Sequence, residues 1–129
     1  MAKPRVFISF DFDNDFGAKQ MLAGQAAYED SPFDFKDSSL KDHLEGNWKE
    51  KVRRRMANID LIIILCGTDT HLACGVEAEL VIAREEDKPY FCLAAYSDRF
   101  CTKPTSALAN DLVYKWTWPN LKSLINGIR

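Results

Sequence analysis

Two carboxylates, Glu77 and Glu79, follow the most apolar run of the chain, residues 61–66. Residues two apart on a helix point to nearly opposite sides, so these two cannot serve the same site. The helical pattern turns Glu79 toward the apolar side and Glu77 toward solvent. A carboxylate on an apolar face loses hydration at a cost in free energy, and function is one reason to retain it. A favourable interaction with the N-terminal helix dipole is the equally weighted alternative.

Three further candidates, Ser9, Phe10 and Asp11, stand where the first predicted strand ends. Phe10 can supply an aromatic platform and Asp11 a hydrogen-bonding carboxylate. Taken alone, a core position for Phe10 and a helix cap for Asp11 are the commoner roles. His71 lies in a polar turn before Glu79, where a turn-stabilising role is commoner than that of a general base.

Strands and helices alternate along the whole chain, and they must position these residues. Strands are predicted at 5–10, 33–35, 61–66, 89–95 and 112–116. Helices are predicted at 15–28, 47–57, 75–87 and 119–128, with a single helical turn considered at 106–110. This alternation predicts βαβ units and a parallel sheet with helices on both faces. We expect an α/β, three-layer flavodoxin-like fold with five strands in the order 2-1-3-4-5, in one domain covering residues 1–129.

In that strand order the topology reverses between strands one and three, and ligands of open sheets bind at such a point. The loops 10–15 and 67–79 should meet there, bringing Glu79 close to Ser9, Phe10 and Asp11. A long loop, 36–45, follows strand two, and loops of that length in small domains are more often functional than not. The basic run 49–55 is interpreted first as a solvated helix face and second as a phosphate or subunit contact.

The composition excludes several classes of protein. At 129 residues, with a net charge of −2, the chain gives no general reason to expect a nucleic-acid partner. It has no apolar run of membrane-spanning length and no signal-peptide pattern, so we expect a cytoplasmic protein without a membrane partner. The cysteines form no CxxC pair. A zinc site from Cys74, Cys101 and His71 or His43 would have the wrong spacing, so no metal is expected.

Several familiar catalytic motifs are missing from the sequence. There is no GxSxG elbow, no GxGxxG fingerprint and no GxxxxGK[ST] loop. A phosphoacceptor aspartate would stand at residue 66, which is cysteine.

Several segments together resemble the TIR-like family of Thoeris anti-phage defence proteins. They are residues 5–11, residues 30–33, Trp48 with Val52 and Arg53, Asp60, and residues 70–80. The resemblance covers about residues 4–95. It implies a TIR-type flavodoxin-like fold and, as in many members, cleavage of NAD at the nicotinamide–ribose bond. Some members then release a cyclic or rearranged ADP-ribose signal.

Carried over by position, the resemblance implies roles for individual residues. Glu79 corresponds to the glutamate that contacts the nicotinamide ribose and supports cleavage. Phe10 corresponds to the aromatic residue after the first strand, with Ser9 and Asp11 lining the same mouth. The remaining candidate substrate-binding residues are Asp37 and Ser38, in the loop that often governs TIR assembly, and His71. Where TIR enzymes commonly carry tryptophan four residues before the glutamate, this chain has Gly75.

The expected activity uses NAD as a substrate and requires no cofactor. A single carboxylate beside the ribose can stabilise the oxocarbenium-like centre. Self-association through TIR surfaces and a downstream effector that senses the product are the expected partners. The alternative is a non-catalytic interaction module that acts through loop 37–45 and the helix carrying residues 53–55. A nucleoside deoxyribosyltransferase-like enzyme is a third possibility.

Overall fold

A computed structural model describes residues 3–11, 13–35 and 48–127. Within these ranges the elements are, in chain order, β1 (Arg5–Ser9), α1 (Phe16–Gln25), β2 (Asp34–Phe35), α2 (Trp48–Met56), β3 (Leu61–Cys66), a 3-10 turn (Thr70–Leu72), α3 (Cys74–Glu85), β4 (Tyr90–Ala94), β5 (Val113–Tyr114) and α4 (Trp118–Ile125). The strands form a parallel sheet in the order β2-β1-β3-β4-β5. The predicted fold class and strand order are confirmed.

The central strand, β3, is buried along its whole length. It pairs with β1 on one side and β4 on the other, so its backbone is covered at both edges. Its side chains alternate between two hydrophobic clusters. Leu61, Ile63 and Leu65 face the cluster formed with α1 and α4, whereas Ile62, Ile64 and Cys66 face the cluster formed with α2 and α3. A run without polar residues is therefore what this position requires.

Several elements are shorter than the sequence pattern predicts. Helix α1 ends at Gln25, and α3 ends at Glu85. Beyond α3, Asp87 adopts the left-handed conformation at φ 54°. The N–H of Lys88 then donates to the Ala83 carbonyl over 2.9 Å, which closes the helix end. Strand β5 has only two residues.

Loop 101–112 and helix α4 also depart from the predicted pattern. The segment 106–110 forms turns rather than a helical turn. Helix α4 begins one residue before Pro119, and the Thr117 hydroxyl caps it by accepting the Asn120 N–H at 3.2 Å. In the described ranges, no helix has the length and apolar character needed to cross a membrane.

The cysteines at the two central strands belong to the core. Cys66 and Cys92 are buried free thiols, as their positions in apolar strands predict. A hydrogen bond between these two thiols, together with burial, raises the pKa of Cys66 well above its ordinary value. The Cys66 thiol therefore stays protonated at neutral pH.

Candidate functional site

The structure joins Ser9 and Glu79 by a buried hydrogen bond. Glu79 lies on the face of α3 that packs on the sheet, and only 3% of the residue is exposed. The Ser9 hydroxyl donates to Oε1 of Glu79 over 2.6 Å. This contact connects the carboxyl end of β1 with the second turn of α3, across the point where the strand order reverses. The predicted meeting of the two loops is found here.

The alternation of side chains along β1 decides which residues reach Glu79. Ser9 pairs in register with Ile64, and its side chain points toward α3. Phe10, the next residue, lies on the opposite face of the sheet in the cluster with α1 and α4. Its ring is buried, with the Phe16 ring centroid at 6.1 Å and the Lys19 ammonium at 5.6 Å. Phe10 is therefore a core residue on the other face from Glu79, and its contact with substrate stays a prediction.

Asp11 stabilises its own loop. Its carboxylate accepts the Asp13 N–H at 3.1 Å and the Asn14 amide at 2.7 Å. The Asp11 carbonyl also accepts the Asp15 N–H at 2.8 Å. These bonds form the turn between β1 and α1, which is a common use of an aspartate in such a loop.

The other predicted substrate-binding residues are His71, Asp37 and Ser38. His71 is exposed in the 3-10 turn, and its Nδ1 lies 2.9 Å from the Thr102 hydroxyl. Its backbone N–H donates to the same hydroxyl at 3.1 Å. His71 thus ties the turn after β3 to the loop after β4, as a turn-stabilising residue does. Asp37 and Ser38 lie outside the described residues.

Glu77 is half-buried rather than turned to solvent, which corrects the expectation from periodicity. Its carboxylate accepts the backbone N–H of Thr105 and, at 2.6 Å, that of Ser106. Partial burial raises the pKa of Glu77, but the hydrogen bonds from Ser106 and Thr105 outweigh it and lower the pKa below its ordinary value. Glu77 therefore fastens the loop after β4 to α3 as a carboxylate.

A residue that the sequence reasoning missed, Asp15, lies in the turn between β1 and α1 and is only 2% exposed. The Tyr96 hydroxyl donates to its Oδ1 at 2.9 Å. A Cβ on Gly67, at the end of β3, would lie 2.3 Å from either carboxyl oxygen of Asp15. Residue 67 must therefore be glycine for this carboxyl group to lie against the backbone.

The electrostatic environment of Asp15 disfavours its charge. Burial raises its pKa, the Tyr96 hydrogen bond opposes the rise, and the negative charges of Asp11 and Asp69 add to it. Its Oδ2 has no hydrogen-bond partner in the part of the chain that the structure describes. Asp15 occupies the N-cap position of α1, but its side chain makes no capping hydrogen bond. A buried polar residue that does not cap its helix stands out as important. Its burial can be seen only in the folded structure.

The site therefore has two carboxyl groups at the carboxyl end of the sheet. Glu79 is held by Ser9 on the α2/α3 face, and Asp15 is held by Tyr96, whose ring packs on the α1/α4 cluster. Such groups can stabilise positive charge or accept hydrogen bonds from a ligand. The described residues contain no group of three or more ligating side chains able to hold a metal ion.

Comparison with known families identifies the region that contains these residues. The family model described as Thoeris protein ThsB, TIR-like domain, matches residues 7–98. The matched region includes Ser9, Asp15, Gly67, Glu79 and Tyr96. No curated protein matches the chain.

Proposed function

We propose that this chain, which belongs to the TIR-like domain family of the Thoeris protein ThsB, cleaves NAD at the nicotinamide–ribose bond. Membership of that family supports a role in anti-phage defence. The observation that carries the enzymatic proposal is the Glu79 carboxylate, buried at the topological switch point and held by the Ser9 hydroxyl over 2.6 Å. A buried carboxylate fixed at a ligand-binding crevice is suited to a charged transition state.

The chemistry needs one such group. The bond between C1′ of the ribose and N1 of the pyridinium ring breaks, and both electrons go to the nitrogen, which releases neutral nicotinamide. The positive charge left on the ribose is oxocarbenium-like, and the Glu79 carboxylate lies beside it to stabilise it. Water, or a hydroxyl or amine of the product-forming partner, then attacks C1′ and loses a proton. With water the products are nicotinamide, ADP-ribose and one proton.

Ser9 has a positioning role in this proposal. Its hydroxyl donates to Oε1 and therefore fixes the rotamer of the Glu79 side chain. The bond also gives the carboxylate a polar partner on the helix face that carries the buried residues Val76, Leu80 and Ala83.

The test is nicotinamide release from NAD, followed by chromatography with mass analysis of the ribosyl product. Glu79→Gln keeps the shape of the side chain and an oxygen that can accept from Ser9. We expect it to lower the rate by about 100-fold or more, which is typical for loss of one electrostatic group at a transition state. Glu85→Gln, on the exposed end of the same helix, is the matched control and should turn over NAD like the parent.

Melting curves and circular dichroism establish that both variants fold. The proposal fails if Glu79→Gln releases nicotinamide as fast as the parent protein. It also fails if the parent, assayed over a range of concentrations that includes its assembled form, never consumes NAD.

A non-catalytic interaction module is the second candidate function, because Gly75 in the first turn of α3 supplies no aromatic side chain for stacking. Arg53, proposed from the sequence as part of its binding surface, is occupied by Glu50, Glu85 and Glu86 at 2.8, 3.1 and 3.4 Å. Arg54, the next residue of that surface, is exposed and is the residue to test. Self-association lost in Arg54→Glu, together with a silent Glu79→Gln, would favour the module.

The enzymatic proposal has consequences for partners and location. It assigns NAD the role of substrate, a cytoplasmic location where NAD is abundant, and a downstream effector that binds the ribosyl product. Self-association is expected to regulate turnover, so the specific activity should rise with protein concentration.

A further inference from the structure

Asp15 is a buried carboxyl group that the proposed cleavage by Glu79 does not use. Its backbone is fixed, since its N–H donates to the Asp11 carbonyl at 2.8 Å and its own carbonyl accepts the Lys19 N–H at 3.0 Å. The Tyr96 hydroxyl satisfies Oδ1 at 2.9 Å. Oδ2 is buried and has no hydrogen-bond partner among the described residues. A buried carboxylate oxygen without a hydrogen-bond partner lowers the free energy of unfolding. The Asp15 carboxyl group is therefore present at a cost in stability.

The surroundings of Asp15 are built to admit the carboxyl group. Gly67 ends β3, and any side chain there would collide with both oxygens, since the added Cβ would lie 2.3 Å from each. The Gly67 N–H donates to the Thr70 hydroxyl at 2.7 Å, which fixes this approach. Asp15 therefore lies at the carboxyl ends of β1 and β3, the edge at which open α/β sheets bind ligands.

The charges around Asp15 select the kind of group it can bind. Asp11 and Asp69 add negative potential, and Arg99 is the opposing positive charge among the groups that act on it. Negative surroundings disfavour the pyrophosphate of a dinucleotide. They favour a part of the ligand that carries hydroxyl donors or a positive charge. In NAD, the nicotinamide riboside end has both, because its ribose carries hydroxyls and its pyridinium ring is cationic.

We propose that Asp15 binds the nicotinamide riboside end of NAD, with Oδ2 accepting a hydrogen bond from a ribose hydroxyl. Asp15 then binds this ribose, whereas Glu79 stabilises the charge that develops on it. The inference rests on the proposed function, because it places the same substrate in the same crevice.

The experiment measures binding in protein that does not turn over. The reference protein in this experiment is the Glu79→Gln variant. NAD and ADP are titrated by calorimetry into this variant and into the double variant that carries both Glu79→Gln and Asp15→Asn. Asparagine can still accept from Tyr96, but its amide at the Oδ2 position cannot accept a hydrogen bond. We expect NAD to bind about 10-fold or more weakly, the usual effect of losing a hydrogen bond to a charged group. ADP lacks the nicotinamide riboside and should bind unchanged.

Asp13→Asn, an exposed change in the same loop, is the matched control and should leave both affinities unchanged. A second readout is the melting temperature of the unliganded protein. The raised pKa of Asp15 means that its contribution to stability is present at low pH and is lost as the pH rises through the folded-state pKa. Asp15→Asn should therefore raise the melting temperature at neutral pH, and raise it less near the ordinary pKa of an aspartate.

Each outcome decides between the two proposals. If neither the unsubstituted protein nor the Glu79→Gln variant binds NAD, the proposed function fails and the Asp15 role fails with it. If the Glu79→Gln variant binds NAD and the double variant with Asp15→Asn binds it equally well, only the Asp15 role is overturned. Equal losses for NAD and ADP also overturn it, because Asp15 would then not distinguish the nicotinamide riboside end. A lower melting temperature in Asp15→Asn at neutral pH would identify a purely structural carboxylate.

Discussion

Replacing Glu77 by alanine should detach the loop after β4 from helix α3. The Glu77 carboxylate accepts the backbone N–H groups of Thr105 and Ser106, and the Ser106 hydroxyl donates to the Glu77 carbonyl at 3.1 Å. Alanine keeps the last contact and loses the first two. Both lost bonds end on an ionised acceptor, each worth about 1.5–3 kcal/mol when desolvated. Because the site is half-exposed and water replaces part of the loss, we expect a destabilisation of about 2 kcal/mol.

Urea denaturation followed by circular dichroism measures this change. Glu77→Gln should lie between the parent and Glu77→Ala, because its one carbonyl oxygen can accept only from one side while its amide faces the other N–H. Glu29→Ala, at an exposed carboxylate beyond α1, is the matched control and should change the unfolding free energy by less than about 0.5 kcal/mol.

The pH dependence gives a second and independent check. The folded-state pKa of Glu77 lies below its ordinary value, so its contribution is complete above the ordinary pKa of a glutamate. It is lost as the pH falls through the folded-state value. The stability difference between the parent and Glu77→Ala should therefore be full at neutral pH and shrink toward about pH 3. A stability difference that stays constant over this range, or a Glu77→Ala variant as stable as Glu29→Ala, would contradict the attachment of the loop after β4 to α3 through Glu77.

Two further changes test the packing around the sheet. Gly67→Ala forces a Cβ to 2.3 Å from the Asp15 carboxyl oxygens, so chemical denaturation should show a loss of about 1–3 kcal/mol. Combining it with Asp15→Ala should restore at least about 1 kcal/mol of that loss, and strict additivity of the two changes would contradict the contact. Arg53→Ala removes an exposed ion-pair cluster with Glu50, Glu85 and Glu86. Its small effect on the melting temperature should disappear in high salt, and an effect that persists there would argue for packing instead.

The sheet could be predicted from the sequence because each of its central strands carries its own signal. The apolar run at 61–66 can only be buried on both faces, and alternation with helices leaves few topologies. The prediction that Glu79 faces the apolar side of its helix is confirmed, because helical periodicity is a local property. These features depend on neighbours within a few positions along the chain, and the sequence displays such neighbours directly.

The parts that could not be predicted depend on contacts between distant segments. Glu77 was expected in solvent because nothing within its helix indicates that Thr105 and Ser106 fold back onto it, 28 and 29 residues away. Asp15 is predicted only as the start of a helix because its partner, Tyr96, lies 81 residues along the chain. Helix lengths were overestimated for a related reason: the apolar pattern continues past Gln25, whereas the chain turns there to reach the edge strand.

Phe10 shows a different limit, which is geometric. Topology places the end of β1 at the crevice, but the period of two along a strand sends adjacent side chains to opposite faces. Ser9 and Phe10 therefore cannot both contact Glu79, and the register Ser9↔Ile64 gives the contact to serine. The alternation of side chains can be seen in the sequence. A prediction that only places whole loops near one another does not assign each side chain to a face of the sheet.

The two carboxyl groups of the site differ in their hydrogen-bond partners, and they therefore suit different roles. Oε1 of Glu79 already accepts a hydrogen bond from Ser9, so a neutral donor from a ligand would have to compete with a short bond of 2.6 Å. A positive charge needs no such exchange, because it is stabilised by the carboxylate while the Ser9 bond persists. Oδ2 of Asp15 offers the opposite case, since a hydrogen-bond donor would satisfy an oxygen that lacks a partner in the described part of the chain. The same pair of groups can therefore divide the binding of a ribose from the stabilisation of its cation, with each role set by what the surrounding chain already supplies.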